Sequence, residues 1–276
     1  MIRYIITLLS IAIVTPALAQ EGTSSYTPSP ADSLRHAQDS IVAAANTALM
    51  VDSSLIDEYQ KIIGIFKSRK NYDLELTIAA RMLAANPASA LAYFAYGDAQ
   101  LDNGAPELAI EPLGKALIVE PAFVRARVTL AEAFMMKQSY DTALMHLDTA
   151  VSSNPRYAQA HLQRASVLTH LARENDAIAS LRAAAELLPE SFPHWMKLAR
   201  ALFQNGKYEE ALDALKYALT LNDNSPDALY LYAETNEQMG NTEEAVRAFE
   251  DFMLRFPTDR RALDAERNAR ALGARP

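Results

Sequence analysis

Four prolines, Pro87, Pro121, Pro155 and Pro189, stand 34 residues apart, and Pro257 falls on the same grid, with Asp223 in the one slot that lacks proline. A fixed period of this length belongs to arrays of stacked units, none of which can bury its apolar face alone. Function is therefore expected on a surface built by repetition rather than in one deep catalytic pocket. Projected along the chain, the grid marks units at 56–89, 90–123, 124–157, 158–191, 192–225 and 226–259.

Each unit reads as two helices. Tyr59, Ile62 and Phe66 in the first unit match Trp195, Leu198 and Leu202 in the fifth, and their three-then-four spacing makes one helical face apolar. In the second helices Ala143, Leu147 and Ala150 match Ala211, Leu215 and Ala218, and small residues at such positions let helix axes approach closely. Gly104, Gly206 and Gly240 lie between the two helices on the same grid, where a left-handed residue ends the first helix. The grid prolines stop the second helices, and Ser225 before Pro226 reads as an N-cap with proline at the first helical position.

These residues resemble the tetratricopeptide repeat family. Trp195, Leu198, Ala199, Leu202, Gly206, Tyr208, Ala211, Leu215 and Ala218 carry its pattern in the fifth unit, Tyr93, Gly97, Ala109, Ala116 and Pro121 in the second, and Leu130, Ala131, Phe134, Tyr140, Ala143, Ala150 and Pro155 in the third. The resemblance covers roughly residues 56–259 and implies an all-α, right-handed α-solenoid of about six helix pairs with a concave groove. Three departures stand out. Glu75 occupies a slot for a small residue, Arg164 one for a leucine-like residue, and Pro112 with Gly114 is expected to interrupt and kink the second helix of its unit. Residues 260–276, rich in arginine and acid, read as a C-terminal capping helix and tail.

Upstream of the repeats, Arg3, the apolar run Ile5 to Val14 and Ala17-Leu18-Ala19 follow the order of a signal peptide, with cleavage expected after Ala19. Residues 20–33 read as a flexible leader, and 34–55 as an N-terminal helix or degenerate half-repeat. Cysteine is absent, which suits export to the periplasm, the expected compartment. No segment reaches the roughly 20 apolar residues of a membrane span. The formal charge of −8 disfavours nucleic acid and anionic lipid as partners.

Signatures of catalysis are missing from the sequence: it has no Gly-x-Ser-x-Gly, no phosphate-cradling glycine loop and no His-x-x-x-His pair. A non-enzymatic chain without metal or cofactor is expected. Trp195 shares its slot with Tyr59 and Tyr93 and reads as a packing residue. Function is sought instead on the groove-facing positions of the first helices. By grid position these are Phe94, Asp98, Leu101 and Asp102 in the second unit, and Glu132, Met135 and Met136 in the third. Leu162, Met196, Lys197, Arg200, Phe203 and Tyr230 continue the row in units four to six. Apolar residues turned to solvent, with acid early in the row and base later, suit an extended or helical segment of an envelope protein. A self-assembling scaffold is the alternative, with a cell-wall or carbohydrate ligand a further one.

Overall fold

A computed structural model describes residues 56–273. The expected signal peptide, the leader, the segment 34–55 and the last three residues lie outside the described residues. Those that are described form thirteen α-helices and no strand. The first helices of successive pairs are α1 (Ile56–Ser68), α3 (Ala90–Asp102), α5 (Val124–Met136), α7 (Ala158–His170), α9 (Phe192–Gln204) and α11 (Pro226–Gln238). Their partners are α2 (Tyr72–Ala85), α4 (Pro106–Val119), α6 (Tyr140–Ser153), α8 (Glu174–Leu187), α10 (Tyr208–Leu221) and α12 (Thr242–Arg255), with α13 (Ala262–Gly273) following. Starts within each series fall 34 residues apart, so the proline grid and the helix grid coincide. No described helix is long and apolar enough to cross a membrane.

The chain divides into two compact units, one ending at Ala133 and one beginning at Phe134, with the division inside α5. In the first unit Tyr59, Phe66, Ile78 and Met82 pack with Ala92, Ala95 and Ala99. In the second, Leu198, Leu202 and Leu215 meet the small faces of Ala199, Ala211 and Ala218. Phe249 and Phe252 bury against Ala265, Ala269 and Leu272 of α13, which covers the open side of the last pair. Truncating one of these leucines to alanine removes about 2–5 kcal/mol.

Six turns of one geometry join the two helices of each pair. A left-handed residue sits at Gly104, Gly206 and Gly240, and also at Lys70, Gln138 and Ala172, which hold the equivalent grid positions without being glycine. At every one the following amide bonds back across the turn: Asn71 N–H to Phe66 O, Ala105 to Gln100, Ser139 to Phe134, Arg173 to Leu168, Lys207 to Leu202 and Asn241 to Asn236. Such a bond satisfies a carbonyl that the helix end would otherwise leave open. The bond, not the residue type, sets the backbone, and three side chains follow it at a steric cost.

The other junction, at the grid proline, is tied down from the next helix. Arg127 Nη2 donates to the Pro121 carbonyl at 2.7 Å, His161 Nε2 to that of Pro155 at 2.9 Å and Trp195 Nε1 to that of Pro189 at 2.9 Å. These three donors share one grid position. A carbonyl can only accept, so His161 carries its proton on Nε2. The slot without proline lacks such a donor, because its counterpart is Leu229. Arg255 Nη2 reaches the Asp223 carbonyl instead, at 2.6 Å. Trp195 also packs on Tyr217, ring centroids 4.4 Å apart, which makes it the packing residue its slot implies.

Two departures resolve differently from expectation. Pro112 does not interrupt its helix, since α4 runs unbroken from Pro106 to Val119. Proline there removes only the bond to the carbonyl of Leu108, a residue 62% exposed, so water can replace the lost donor. Arg164 sits at its apolar slot by pairing Nε with Asp148 at 2.6 Å and Nη1 with the buried Ser180 hydroxyl at 2.7 Å.

Candidate interaction surface

Candidate residues on the first helices divide by depth within each unit. In the first unit Phe94 and Leu101, read as facing solvent, are only 4% and 8% exposed. Phe123, from the loop before α5, lies 5.2 Å from the Phe94 ring, and the Arg125 guanidinium sits 4.7 Å above it. That pair covers the ring and removes it from any contact surface. Leu101 lies in the last turn of α3, where the chain doubles back and the Gly104 N–H bonds to its carbonyl at 2.8 Å. Asp98 and Asp102 are half-buried, while Glu132 is exposed.

In the second unit Met196 is 8% exposed, inside the apolar cluster of Leu198, Leu202 and Leu215, and it too leaves the surface. The remaining residues keep accessible area. Met136 is 50% exposed, Met135, Leu162 and Phe203 are half-buried, and Lys197 and Arg200 are exposed. Phe203 rests edge-on against Tyr208, centroids 5.5 Å apart, which fixes its ring without covering it. Arg200 pairs only at 3.8 Å with Asp227, a contact between two well-exposed groups that adds little stability. Tyr230 is held from both sides, by Phe249 and Phe252 at 5.8 and 5.2 Å and by the Arg261 guanidinium at 5.1 Å. It is a half-buried wall of the α13 cluster more than a projecting contact. Glu234, beside it, has its carboxyl pushed up by burial and by the neighbouring Glu237.

A second constellation, in the first unit, combines residues that the groove reading treats separately. Lys67 Nζ on α1 lies 2.7 Å from Asp98 Oδ2 and 2.5 Å from Asp102 Oδ2 on α3. Burial alone would lower the ammonium's pKa, but hydrogen bonds to the two aspartates outweigh it and hold the group above the ordinary lysine value. Beneath them Glu75 on α2 is 0% exposed and neither of its oxygens has a hydrogen-bond partner. Its carboxyl is pushed up to about 7, chiefly by burial, then by the Asp102 charge, with Lys67 pulling the other way and Asp98 adding to the rise. The sequence signal for this cluster is Glu75 itself. Ala109, Ala143, Ala177, Ala211 and Ala245 hold the same slot in the other five pairs, all buried.

The family model of the tetratricopeptide repeat matches residues 76–125 and 128–192, and that of anaphase-promoting complex, cyclosome, subunit 3 matches residues 182–252. A search of curated proteins finds no match. Among solved structures the chain is similar to YrrB, described as a TPR protein with an unusual peptide-binding site, at 20% identity and a TM-score of 0.59 over 68% of this chain and 97% of that one. It is similar to pilF of Pseudomonas aeruginosa at 16% identity and a TM-score of 0.63, over 78% of this chain and 97% of that one. MamA aligns at 22% identity and a TM-score of 0.51, over 62% of this chain and 94% of that one. Likeness at these identities is a likeness of fold. Helix pairs recurring every 34 residues, six turns of one geometry and these family matches together make the chain a tetratricopeptide-repeat protein.

Proposed function

We propose that the protein is a non-enzymatic protein–protein interaction module of the cell envelope, exported by the segment ahead of Gln20, which binds an extended or helical segment of another envelope protein. One observation carries the reading. In the second unit the first helices α7 and α9 carry Leu162 and Phe203, half-buried, and α9 also carries the exposed cations Lys197 and Arg200, the latter one turn before Phe203. Apolar area left open on a first helix is not needed for stacking and suits a partner's side chains. The adjacent cations favour a segment that pairs apolar with acidic residues. The peptide-binding site for which YrrB is described supports a peptide ligand for this fold.

A photo-crosslinking amino acid placed at Arg200, in cells that make the protein, is expected to trap a discrete protein adduct that the same probe at Lys216, exposed on the second helix α10, does not. Adducts of equal yield from both positions, or none from Arg200, would remove the reading. A ladder of adducts containing only this chain would favour the self-assembling scaffold instead.

A further inference from the structure

From the cluster of Glu75, Asp98 and Asp102 we infer a site for a hard divalent cation, of the Ca²⁺ or Mn²⁺ class, in the first unit, at which the Lys67 ammonium is the resident competitor. One carboxylate oxygen from each of the three residues lies within 4.8 Å of those of the other two. Two oxygens bound to one Ca²⁺ at roughly 2.4 Å can be no more than about 4.8 Å apart, so the three oxygens lie within the span that the ligands of a single ion occupy. Every ligand is a carboxylate, with no imidazole or thiolate at hand, which selects a hard cation over zinc or copper.

Glu75 turns an acidic patch into a built site. It replaces the small residue that its slot holds in every other pair, is completely covered, and has two oxygens without a hydrogen-bond partner, one of them within 4.8 Å of an oxygen of each aspartate. Buried polar atoms of this kind demand a partner. Lys67 is the cation that reaches the cluster, and it is already engaged with Asp98 and Asp102. With Lys67 displaced the three carboxyl groups carry up to three formal negative charges, of which a divalent ion offsets two where the single ammonium offsets one.

Access is open from the same side. The side chains of Asp98 and Asp102 are 24% and 27% exposed, and that of Lys67 is 42% exposed on a flexible stem that can swing into water. An incoming ion therefore takes the place of Lys67, with waters completing its shell, and Glu75 gains the partner that it lacks. Asp98 and Asp102, four residues apart, project from one face of α3, so helix geometry holds two of the ligands in register. Glu75 closes the site from α2. Bound ion would then link α2 and α3 directly.

Calorimetric titration of the chelator-stripped full chain with CaCl2, and separately with MnCl2, tests this. One ion per chain is expected, with an affinity at the millimolar end of protein Ca²⁺ sites because the lysine competes. Lys67→Met is expected to tighten binding at least about tenfold, or about 1.4 kcal/mol. Glu75→Gln and Asp98→Asn are each expected to weaken it by as much, in variants whose circular dichroism matches that of the parent. Should Glu75→Gln fail to fold, Asp98→Asn, at a side chain 24% exposed, gives the answer alone. Absence of binding in both the parent and Lys67→Met would overturn the inference. So would tightening that survives Asp98→Asn, or weaker binding in Lys67→Met.

Discussion

Exchanging residues between two equivalent turns tests the physical account of the repeat most cleanly. Ala172 and Gly206 occupy the same grid position and both have positive φ, 54° and 71°. Each turn is closed by the same pair of bonds: Ala172 N–H to Thr169 O at 3.1 Å with Arg173 N–H to Leu168 O at 2.8 Å, and Gly206 N–H to Phe203 O with Lys207 N–H to Leu202 O, both at 3.0 Å. Nothing lies within 4 Å of where a Cβ on Gly206 would fall, so the exchange changes backbone energetics and no packing. Holding an L-residue in the left-handed region costs roughly 1–2 kcal/mol. Glycine gives back about 0.5–1 kcal/mol of that through its larger unfolded-state entropy. Ala172→Gly should therefore stabilise the chain, and Gly206→Ala destabilise it, by about 0.5–1 kcal/mol each. Ala179→Gly, on the exposed side of α8, serves as the control and should cost about 1 kcal/mol. Urea denaturation followed by circular dichroism reads all three, with unchanged slopes certifying that the unfolding unit is the same. An Ala172→Gly loss as large as that of Ala179→Gly would refute the claim that the turn, and not its residue, dictates the conformation.

Two further outcomes follow from packing and charge. A Cβ on Gly97 would come 2.6 Å from Leu113 Cγ and 2.9 Å from its Cδ2, and Leu113 is completely buried, so Gly97→Ala should cost about 1–3 kcal/mol despite alanine's better helix propensity, with Leu113→Ala in the same chain relieving part of it in a double-mutant cycle. Glu75 titrates near 7 in the folded chain against an ordinary value of 4.5, so in chelated buffer folded protein holds a proton that the unfolded chain releases. Stability should then fall as pH rises from about 4.5 to about 7, by no more than about 3 kcal/mol, and stay level above; Glu75→Ala should flatten that slope in urea titrations at several pH values.

Much of the fold was legible because period and chemistry agree. Prolines marked the outer junctions, glycines marked three inner turns, and alanines marked close helix crossings. Lys70, Gln138 and Ala172 hid the other three turns, since nothing in their side chains announces positive φ; the backbone bond across the turn imposes it. Pro112 misled because a helix tolerates proline where the carbonyl it orphans faces water. At the slot without proline the junction is held by Arg255, 32 residues away in sequence, through the Asp223 carbonyl, which no pattern around Asp223 signals.

The surface was less legible for a related reason. A grid position gives the direction in which a side chain leaves its helix, but not what folds over it. Phe94 leaves toward solvent and is covered by Phe123 and Arg125 from beyond the next junction, while Phe203 packs against Tyr208 and the edge of the second unit's core and stays half-buried. Glu75 could be recognised as out of place from its slot alone. That Lys67 and two aspartates converge on it depends on three helices meeting, which no single-helix pattern encodes.

The affinity of the partner trapped at Arg200 for the parent chain and for Met135→Ala/Phe203→Ala is the most direct measure of the central claim. A loss of about 2 kcal/mol or more is expected in the double variant, with Arg200→Glu, which alters no buried residue, weakening binding further at low salt than at high. Unchanged affinity in a folded double variant, together with indifference to Arg200→Glu, would contradict it.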